Sequence, residues 1–119
     1  MKITIPKETQ AYEKRVAISP DVVKNLLKAG FSVVVEKDAG LASFFADAAY
    51  TLAGATIEPN KETLYKEADV ILKVNPPSAD EVRLMKPEAV LISFLYAYTQ
   101  PELVAALLEK KITDRKSVV

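Results

Sequence analysis

The segment that decides the fold is Val70-Ile71-Leu72-Lys73-Val74, a nearly unbroken apolar run that ends before Pro76-Pro77. A second run of this kind, Val90-Leu91-Ile92-Ser93-Phe94-Leu95, follows after one helical pattern. Strands with one face in solvent alternate apolar and polar residues, whereas strands that are buried on both faces do not. Both runs therefore predict strands of a parallel sheet that is covered by helices on each side.

The rest of the chain alternates between strand and helix patterns with short connections, as in a doubly wound fold. Further strands are expected at 3–5, 31–35 and 55–57, and helices at 20–29, 47–52, 61–67, 78–85 and 101–110. Ser19 and Ser78 are predicted to cap helices through their hydroxyl groups, Ser78 in a capping box with Glu81. The sequence thus predicts an α/β domain with a doubly wound, mainly parallel, Rossmann- or flavodoxin-like sheet.

Composition excludes several classes of function. The 119 residues carry 16 basic and 16 acidic side chains, and this balance argues against a nucleic-acid or membrane-surface binder. The absence of cysteine and histidine excludes Ser-His-Asp and Cys-His catalysis, disulfides and Cys-based metal sites within this chain. No run approaches the roughly 18 apolar residues of a membrane span. Because the strand pattern starts at Ile3, we expect a cytoplasmic protein without a signal peptide or direct membrane insertion.

Three candidate side chains lie near the carboxyl ends of predicted strands, where ligands bind in an open parallel sheet. Lys73 is the most informative, because an ammonium group within an apolar strand needs solvent, an acidic partner or an anionic ligand. The alternative is an edge-strand lysine whose stem passes along the apolar surface. Arg15 lies in the run Glu13-Lys14-Arg15, which favours a solvated charge cluster. Tyr96 would either donate a hydrogen bond into a pocket or pack at its strand end.

The chain has no glycine-rich phosphate site. Its three glycines, Gly30, Gly40 and Gly54, form neither G-x-G-x-x-G nor a P-loop. No dinucleotide is therefore expected to bind this fragment alone, and no catalytic, cofactor-binding or metal-ligating residue is assigned within it. A Rossmann-like sheet without this motif indicates one half of a two-domain enzyme.

Several motifs occur in the order and spacing of a known domain family. They are Ile5-Pro6-Lys7-Glu8, Glu13-Lys14-Arg15-Val16-Ala17, Ala39-Gly40, the segment from Asp69 to Pro77, and Leu91-Ile92-Ser93-Phe94-Leu95-Tyr96. Over residues 1–113 the chain resembles the N-terminal domain of the alanine dehydrogenase/pyridine nucleotide transhydrogenase family. Residues 114–119 depart from that pattern, which predicts a non-native tail.

Within this family the resemblance is to the NAD(P) transhydrogenase branch, subunit alpha. Alanine dehydrogenases are expected to carry a catalytic histidine where this chain has Tyr96, and the chain has no histidine. Arg15 and Lys73 match positions that bind the substrate carboxylate in the dehydrogenases. In a transhydrogenase, whose substrate is the nucleotide itself, these two residues would be scaffold residues of the interdomain cleft.

The resemblance implies a parent enzyme that transfers hydride from NADH to NADP⁺ and couples the transfer to proton translocation. NAD(H) would bind a subdomain that lies downstream, so this portion of the parent is expected to be truncated and inactive alone. The expected partners are the rest of the alpha subunit, a membrane beta subunit and a second copy of the parent component. The expected location is cytoplasmic, peripheral to the bacterial inner membrane.

Two other functions remain open from the sequence. The chain would also suit the N-terminal domain of an alanine dehydrogenase-like enzyme, with Arg15 and Lys73 clamping a 2-oxo acid. The second alternative is a catalytically silent, flavodoxin-like interaction module.

Overall fold

The computed structural model describes residues 1–9, 13–75, 77–93 and 113–116. The elements are β1 (Lys2–Ile5), α1 (Pro20–Lys28), β2 (Ser32–Glu36), α2 (Asp47–Ala53), β3 (Thr56–Glu58), α3 (Lys61–Lys66), β4 (Val70–Lys73), α4 (Ala79–Leu84), β5 (Val90–Ser93) and β6 (Thr113–Lys116). A short 3₁₀ helix, Leu41–Ser43, precedes α2. Each strand and helix predicted within the described ranges is present. Tyr96 and the helix predicted at 101–110 lie outside the described residues.

The six strands form one parallel sheet in the order β3-β2-β1-β4-β5-β6. This is the strand order of the Rossmann fold, so the predicted doubly wound α/β architecture is confirmed. The chain winds in one direction from β1 to β3 and in the other from β4 to β6. The switch point therefore lies between β1 and β4, and the carboxyl ends of these two strands border its crevice.

The helices cover the two faces of the sheet separately. One buried cluster joins Val23 of α1 and Tyr50 of α2 to Ile3 and Ile5 of β1. A second cluster joins α3 and α4 to β4 and β5; its members are Tyr65, Ala68, Ile71, Val82, Met85, Ala89 and Leu91. Because alternate residues of the inner strands enter opposite clusters, both faces need apolar residues, which explains the unbroken apolar runs.

The position of β4 decides between the two interpretations of its lysine. β4 lies between β1 and β5, so Lys73 is on a central strand. Its side chain is only 2% exposed to solvent. The edge-strand alternative is therefore wrong, and the Lys73 ammonium group must find its partner inside the protein.

The two predicted helix caps have different outcomes. Ser78 and Glu81 form the expected capping box: the Glu81 N–H donates to Ser78 Oγ at 3.1 Å, and the Ser78 N–H donates to the Glu81 carboxylate at 2.8 Å. Ser19 is the N-cap residue of α1, but its side chain makes no capping hydrogen bond. The Val22 N–H donates instead to the Ser19 carbonyl oxygen at 3.1 Å, so the predicted hydroxyl cap is wrong.

The last described segment extends the sheet. Thr113–Lys116 pairs in parallel with β5, and Asp114 lies opposite Leu91. Thr113–Lys116 is therefore the edge strand beside β5. The domain end at residue 113 and the non-native tail at 114–119 stay predictions.

Gly40 is packed too closely for any side chain. A Cβ atom built there would lie 2.7 Å from Tyr50 Cε2 and 2.9 Å from Phe45 Cβ. Tyr50 is fully buried, and its hydroxyl group donates to the Ile18 carbonyl oxygen at 2.9 Å. A methyl group at residue 40 would therefore displace a ring that joins α2 to the segment before α1.

We predict that Gly40→Ala lowers the free energy of unfolding in urea by about 2 kcal/mol or more, from overpacking and the weakened Tyr50 hydrogen bond. Gly30→Ala is the matched control, because Gly30 has a φ of +95° but no atom within 4 Å of its Cβ position. It should cost about 1 kcal/mol, from backbone strain alone. A loss for Gly40→Ala no larger than that of Gly30→Ala would contradict the packing described for Tyr50.

Candidate functional site at the switch point of the sheet

The carboxyl ends of β1 and β4 are joined by the side chain of Glu8. Its Oε2 accepts a hydrogen bond from the Val74 N–H at 2.9 Å, and its Oε1 accepts one from the Asn75 N–H at 3.0 Å. Lys73 Nζ lies 3.4 Å from the same Oε1. The Glu8 and Lys73 side chains are each only 2% exposed. A buried carboxylate therefore connects the loop after β1 to three successive residues at the end of β4.

The sheet register explains why this connection is made by a side chain. β1 and β4 pair only at Ile3 with Val70 and at Thr4 with Ile71. No register pair joins the two strands beyond Thr4 and Ile71, and their carboxyl ends border the crevice expected at a switch point. The Glu8 carboxylate spans this crevice and accepts the backbone N–H groups on its β4 side.

The burial of the Glu8–Lys73 pair makes it sensitive to the loss of either partner. Transferring each ion out of water costs several kcal/mol, and attraction within the pair offsets this only when the remaining hydrogen-bonding groups are also satisfied. The two backbone N–H donors on Glu8 meet that condition on the carboxylate side. Removing one partner alone leaves a buried unpaired charge, which typically costs about 3–5 kcal/mol.

Asn75 extends the network from Glu8 to Arg15. Its Nδ2 donates to Glu13 Oε1 at 2.8 Å and lies 3.4 Å from Glu8 Oε1. Glu13 also accepts hydrogen bonds from Arg15 Nε and Nη2, both at 2.9 Å. The Arg15 side chain is 66% exposed, as expected for a solvated charge cluster, yet its carboxylate partner is held by the same Asn75 that contacts Glu8.

Glu13 is the strongly acidic member of this network. The side-chain hydrogen bonds from Arg15 lower the pKa of Glu13 from 4.5 to about 2, with a further contribution from Asn75. The same pairing raises the pKa of Arg15 above its usual value. Glu13 and Arg15 therefore remain a charged pair at neutral pH and well into the acid range.

A pocket of about 210 Å³ lies beside this network. Its wall includes Glu8, Glu13 and Arg15 from the loop after β1, and Asp38 and Ala42 from the segment after β2. Ligand pockets commonly have volumes of about 300–1,000 Å³. The pocket is therefore suited to a small molecule rather than to a dinucleotide.

A second buried carboxylate, Glu81, lies on the α3–α4 face of the sheet. Tyr65 Oη donates to it at 2.8 Å, and Lys61 Nζ lies 3.0 Å away. Burial favours the neutral acid, but the Ser78 N–H, the charge of Lys73 and the Lys61 hydrogen bond together lower the pKa of Glu81. Burial, reinforced by the charge of Glu81, raises the pKa of Tyr65, which keeps its donor proton. Sequence reasoning identified Glu81 only as part of a helix cap.

The network includes two of the three candidate residues from the sequence. Lys73 is paired with Glu8 and Arg15 with Glu13, and Asn75 links the two pairs. Tyr96 lies outside the described residues. Sequence reasoning assigned no role to Glu8, Glu13 or Asn75, although Glu8 and Asn75 follow strands at the ligand-binding edge of the sheet. Within the described part of the chain, no group of acidic residues is arranged to hold a metal ion, and no helix there has the length and hydropathy of a membrane span.

The Glu13–Arg15 pair predicts a specific pH dependence. The folded-state pKa of Glu13 is about 2, and its ordinary value is 4.5. The contribution of Glu13 to the free energy of unfolding is therefore fully present above pH 4.5. That contribution is lost as the pH falls through the folded-state pKa. Arg15→Met should raise the pKa of Glu13 toward its ordinary value. The free energy of unfolding should then decrease less between pH 4.5 and pH 2 than it does in the unsubstituted chain. Carboxyl ¹³C titration and urea unfolding across this range measure both effects.

Lys14→Met is the matched control, because it removes the same charge from the adjacent residue and leaves the Arg15 guanidinium in place. It should keep the low pKa of Glu13. If Arg15→Met left that pKa as low as in the unsubstituted chain, the pairing described here would be wrong.

Comparison with known proteins extends these observations. Residues 4–115 match the family described as "Alanine dehydrogenase/PNT, N-terminal domain". The chain is 48% identical over 118 residues to the first part of the NAD(P) transhydrogenase alpha subunit of Rhodospirillum rubrum, covering 95% of this chain and 31% of that protein. It is 41% identical over 113 residues to alanine dehydrogenase of Methanococcus maripaludis, covering 95% of this chain and 30% of that protein.

A solved structure supports the same relationship. The crystal structure of transhydrogenase from Sinorhizobium meliloti superposes with a TM-score of 0.89 at 39% identity, covering 96% of this chain and 34% of that chain. The chain thus spans about a third of the length of the relatives that it matches. The family match and the structural superposition together show that this chain belongs to the alanine dehydrogenase/PNT N-terminal domain family.

Proposed function

We propose that the chain is the N-terminal portion of the NAD(H)-binding component of a proton-translocating NAD(P) transhydrogenase. The parent enzyme would transfer hydride from NADH to NADP⁺. The observation that carries the proposal is the internal pairing of Lys73: its charge is balanced by Glu8 at 3.4 Å, and its side chain is only 2% exposed. A lysine held in this way suits a cleft wall better than a clamp for a substrate carboxylate.

The described residues do not fit a dinucleotide on their own. The chain has no glycine-rich turn that would hold a pyrophosphate, and the pocket between the segments that follow β1 and β2 measures only about 210 Å³. In the proposed parent, the nicotinamide nucleotides would supply the hydride chemistry at a site completed elsewhere. The role of this portion is to form one wall of the cleft and to exclude water from it, and none of its residues is assigned as an acid or a base.

The assembly and location of the parent belong to the same proposal. Its partners would be the rest of the alpha subunit, a membrane beta subunit and a second copy of the NAD(H)-binding component. The relative from Rhodospirillum rubrum is named as one part of an alpha subunit, which supports a divided parent enzyme. We place the parent component on the cytoplasmic side of the bacterial inner membrane, attached through its partner subunits.

An alanine dehydrogenase remains the second candidate, because the 41% identity to such an enzyme approaches the 48% identity to the transhydrogenase subunit. The two functions make opposite demands on the cleft. A dehydrogenase would need the cations of Lys73 and Arg15 to bind a 2-oxo acid, and here each cation already has a carboxylate partner. The absence of histidine from the chain also favours the transhydrogenase.

The isolated chain should show no measurable affinity for NAD⁺ or NADH, because it lacks a phosphate site. Isothermal titration and nucleotide fluorescence measure this directly, with the parent protein as the positive control. A dissociation constant in the micromolar range for the isolated chain would disprove the assignment of the nucleotide site to another region of the parent.

Lys73→Met in the parent protein separates the two enzymes. It removes the charge but keeps the length of the side chain, so transhydrogenation between NADH and an NADP⁺ analogue should fall by about tenfold or less, or ~1.4 kcal/mol. Reductive amination of pyruvate should be undetectable with or without the substitution. If the parent protein aminated pyruvate and Lys73→Met abolished that activity, the protein would be assigned to the dehydrogenases.

A stability control belongs with this assay, because Lys73→Met leaves the Glu8 carboxylate buried without its cation. Glu8→Gln combined with Lys73→Met removes both charges and should regain some of the lost stability. Both variants are therefore assayed well below their melting temperatures, so that a change in rate reports on the cleft rather than on unfolding.

A further inference from the structure

Phe44 adopts a backbone conformation that is costly for a phenylalanine. Its φ of +67° lies in the left-handed region, which residues with a Cβ atom rarely adopt. Its side chain is 97% exposed, so the ring gains no free energy from burial within this chain. Glycine or asparagine would make the same turn at a lower cost. Backbone strain at a fully exposed aromatic residue points to contact with another surface, because aromatic side chains often anchor interfaces.

The outer face of α2 continues the apolar surface that begins at Phe44. Tyr50 and Ala53 of this helix are buried in the core, whereas Ala48 and Leu52 are exposed on its opposite side. Leu52 is 87% exposed. We call the exposed apolar residues of this segment the α2 patch: Leu41, Phe44, Ala48 and Leu52.

The charge of this segment favours one kind of partner. Asp47 is the only charged residue between Asp38 and Glu58 in the sequence, and its carboxylate accepts a hydrogen bond from the Asp38 N–H at 2.9 Å. The segment thus has none of the basic side chains that attract nucleic acid or anionic lipid. In a two-fold interface each surface meets a copy of itself, so any concentrated charge would be repelled. An uncharged patch meets this condition and is therefore suited to a second copy of this chain.

We propose that α2 packs antiparallel against α2 of a second copy, about a two-fold axis that passes near Tyr50. Ala48 and Leu52 lie four residues apart on the same face of the helix, and one is small where the other is large. The two-fold axis then places Leu52 of each copy against Ala48 of the other. A large residue opposite a small one allows the helix axes to approach to roughly 8–10 Å, as in ordinary helix packing. Phe44 of each copy would extend the contact toward the C-terminal end of the other α2.

The size of the α2 patch predicts a weak dimer. Its four side chains offer on the order of 400 Å² of apolar surface, which is the size that commonly marks an interaction site. A stable interface buries about 800 Å² on each partner, so this patch supplies about half of that area. The expected dissociation constant is therefore on the order of 100 µM.

This interface is independent of the assignment to a transhydrogenase. The proposed function expects a second copy of the parent component but assigns no surface to it. The interface is argued from the α2 patch alone, and self-association is measured without any enzymatic activity. A monomeric chain would therefore overturn the interface and leave the proposed function as it is.

Sedimentation velocity of the 119-residue chain from about 10 µM to about 1 mM tests the proposal. The unsubstituted chain should change from monomer to dimer over this range. Leu52→Glu should weaken the dimer about tenfold or more, because it places a carboxylate against an apolar surface. Asn25→Glu is the matched control: it adds the same charge at an exposed position of α1 and should leave the dissociation constant unchanged.

Mixing two variants tests the antiparallel arrangement. Leu52→Glu and Ala48→Lys should each be monomeric alone, since each sets a charged group against an apolar side chain. In a mixed dimer the introduced carboxylate meets the introduced ammonium group, and the other contact between Leu52 and Ala48 is unchanged. An equimolar mixture should therefore associate within about tenfold of the affinity of the unsubstituted chain.

Phe44→Asn separates a role in the interface from a role in the fold. At about 10 µM, where the chain is monomeric, it should raise the melting temperature by about 2–4 °C, because asparagine tolerates the left-handed conformation. At about 1 mM it should weaken the dimer roughly tenfold, because the ring is lost. The interface would be ruled out by a chain that stays monomeric at 1 mM, by a dimer that Leu52→Glu and Phe44→Asn leave unchanged or that Asn25→Glu weakens equally, or by a mixture that does not associate.

Discussion

The structure of the cleft depends on the buried ion pair between Glu8 and Lys73. β1 and β4 are paired only at Ile3–Val70 and Thr4–Ile71, so their carboxyl ends need another connection. Glu8 provides it by binding backbone N–H groups at the end of β4 while it neutralises Lys73. The apolar sheet therefore tolerates a lysine in a central strand, and the loop after β1 is held against the crevice where parallel sheets bind ligands.

The pairing of cations with carboxylates also determines the charge that the cleft presents to a ligand. Both candidate cations carry a carboxylate partner, and the Asn75 amide group joins the two pairs. The cleft is therefore polar but close to electrically balanced, and neither a histidine nor a cysteine is available for acid–base or nucleophilic chemistry. These properties fit the proposed role of a cleft wall better than that of a clamp for a substrate carboxylate.

The local pattern of the sequence predicted most of the fold but little of the site. Apolar runs and helix patterns identified β1 to β5 and α1 to α4, whereas β6, at Thr113–Lys116, was not predicted. The need of Lys73 for a partner followed from desolvation alone. The partner itself did not follow, because Glu8 lies 66 residues from Val74 in the chain and meets it only through the strand order. For the same reason, the roles of Asn75 and Glu81 depend on tertiary contacts that no local motif encodes. At Ser19, the backbone carbonyl accepts the hydrogen bond that the motif assigned to the hydroxyl group.

A double-mutant cycle on Glu8 and Lys73, measured by urea unfolding of this chain, tests the central claim most directly. Glu8→Gln and Lys73→Met should each cost about 3 kcal/mol or more, because each leaves a buried charge without its partner. The double variant should be at least about 2 kcal/mol more stable than the sum of the single losses predicts. Losses that add to within about 0.5 kcal/mol would show that the two side chains act independently, and would contradict the dependence of the cleft on this ion pair.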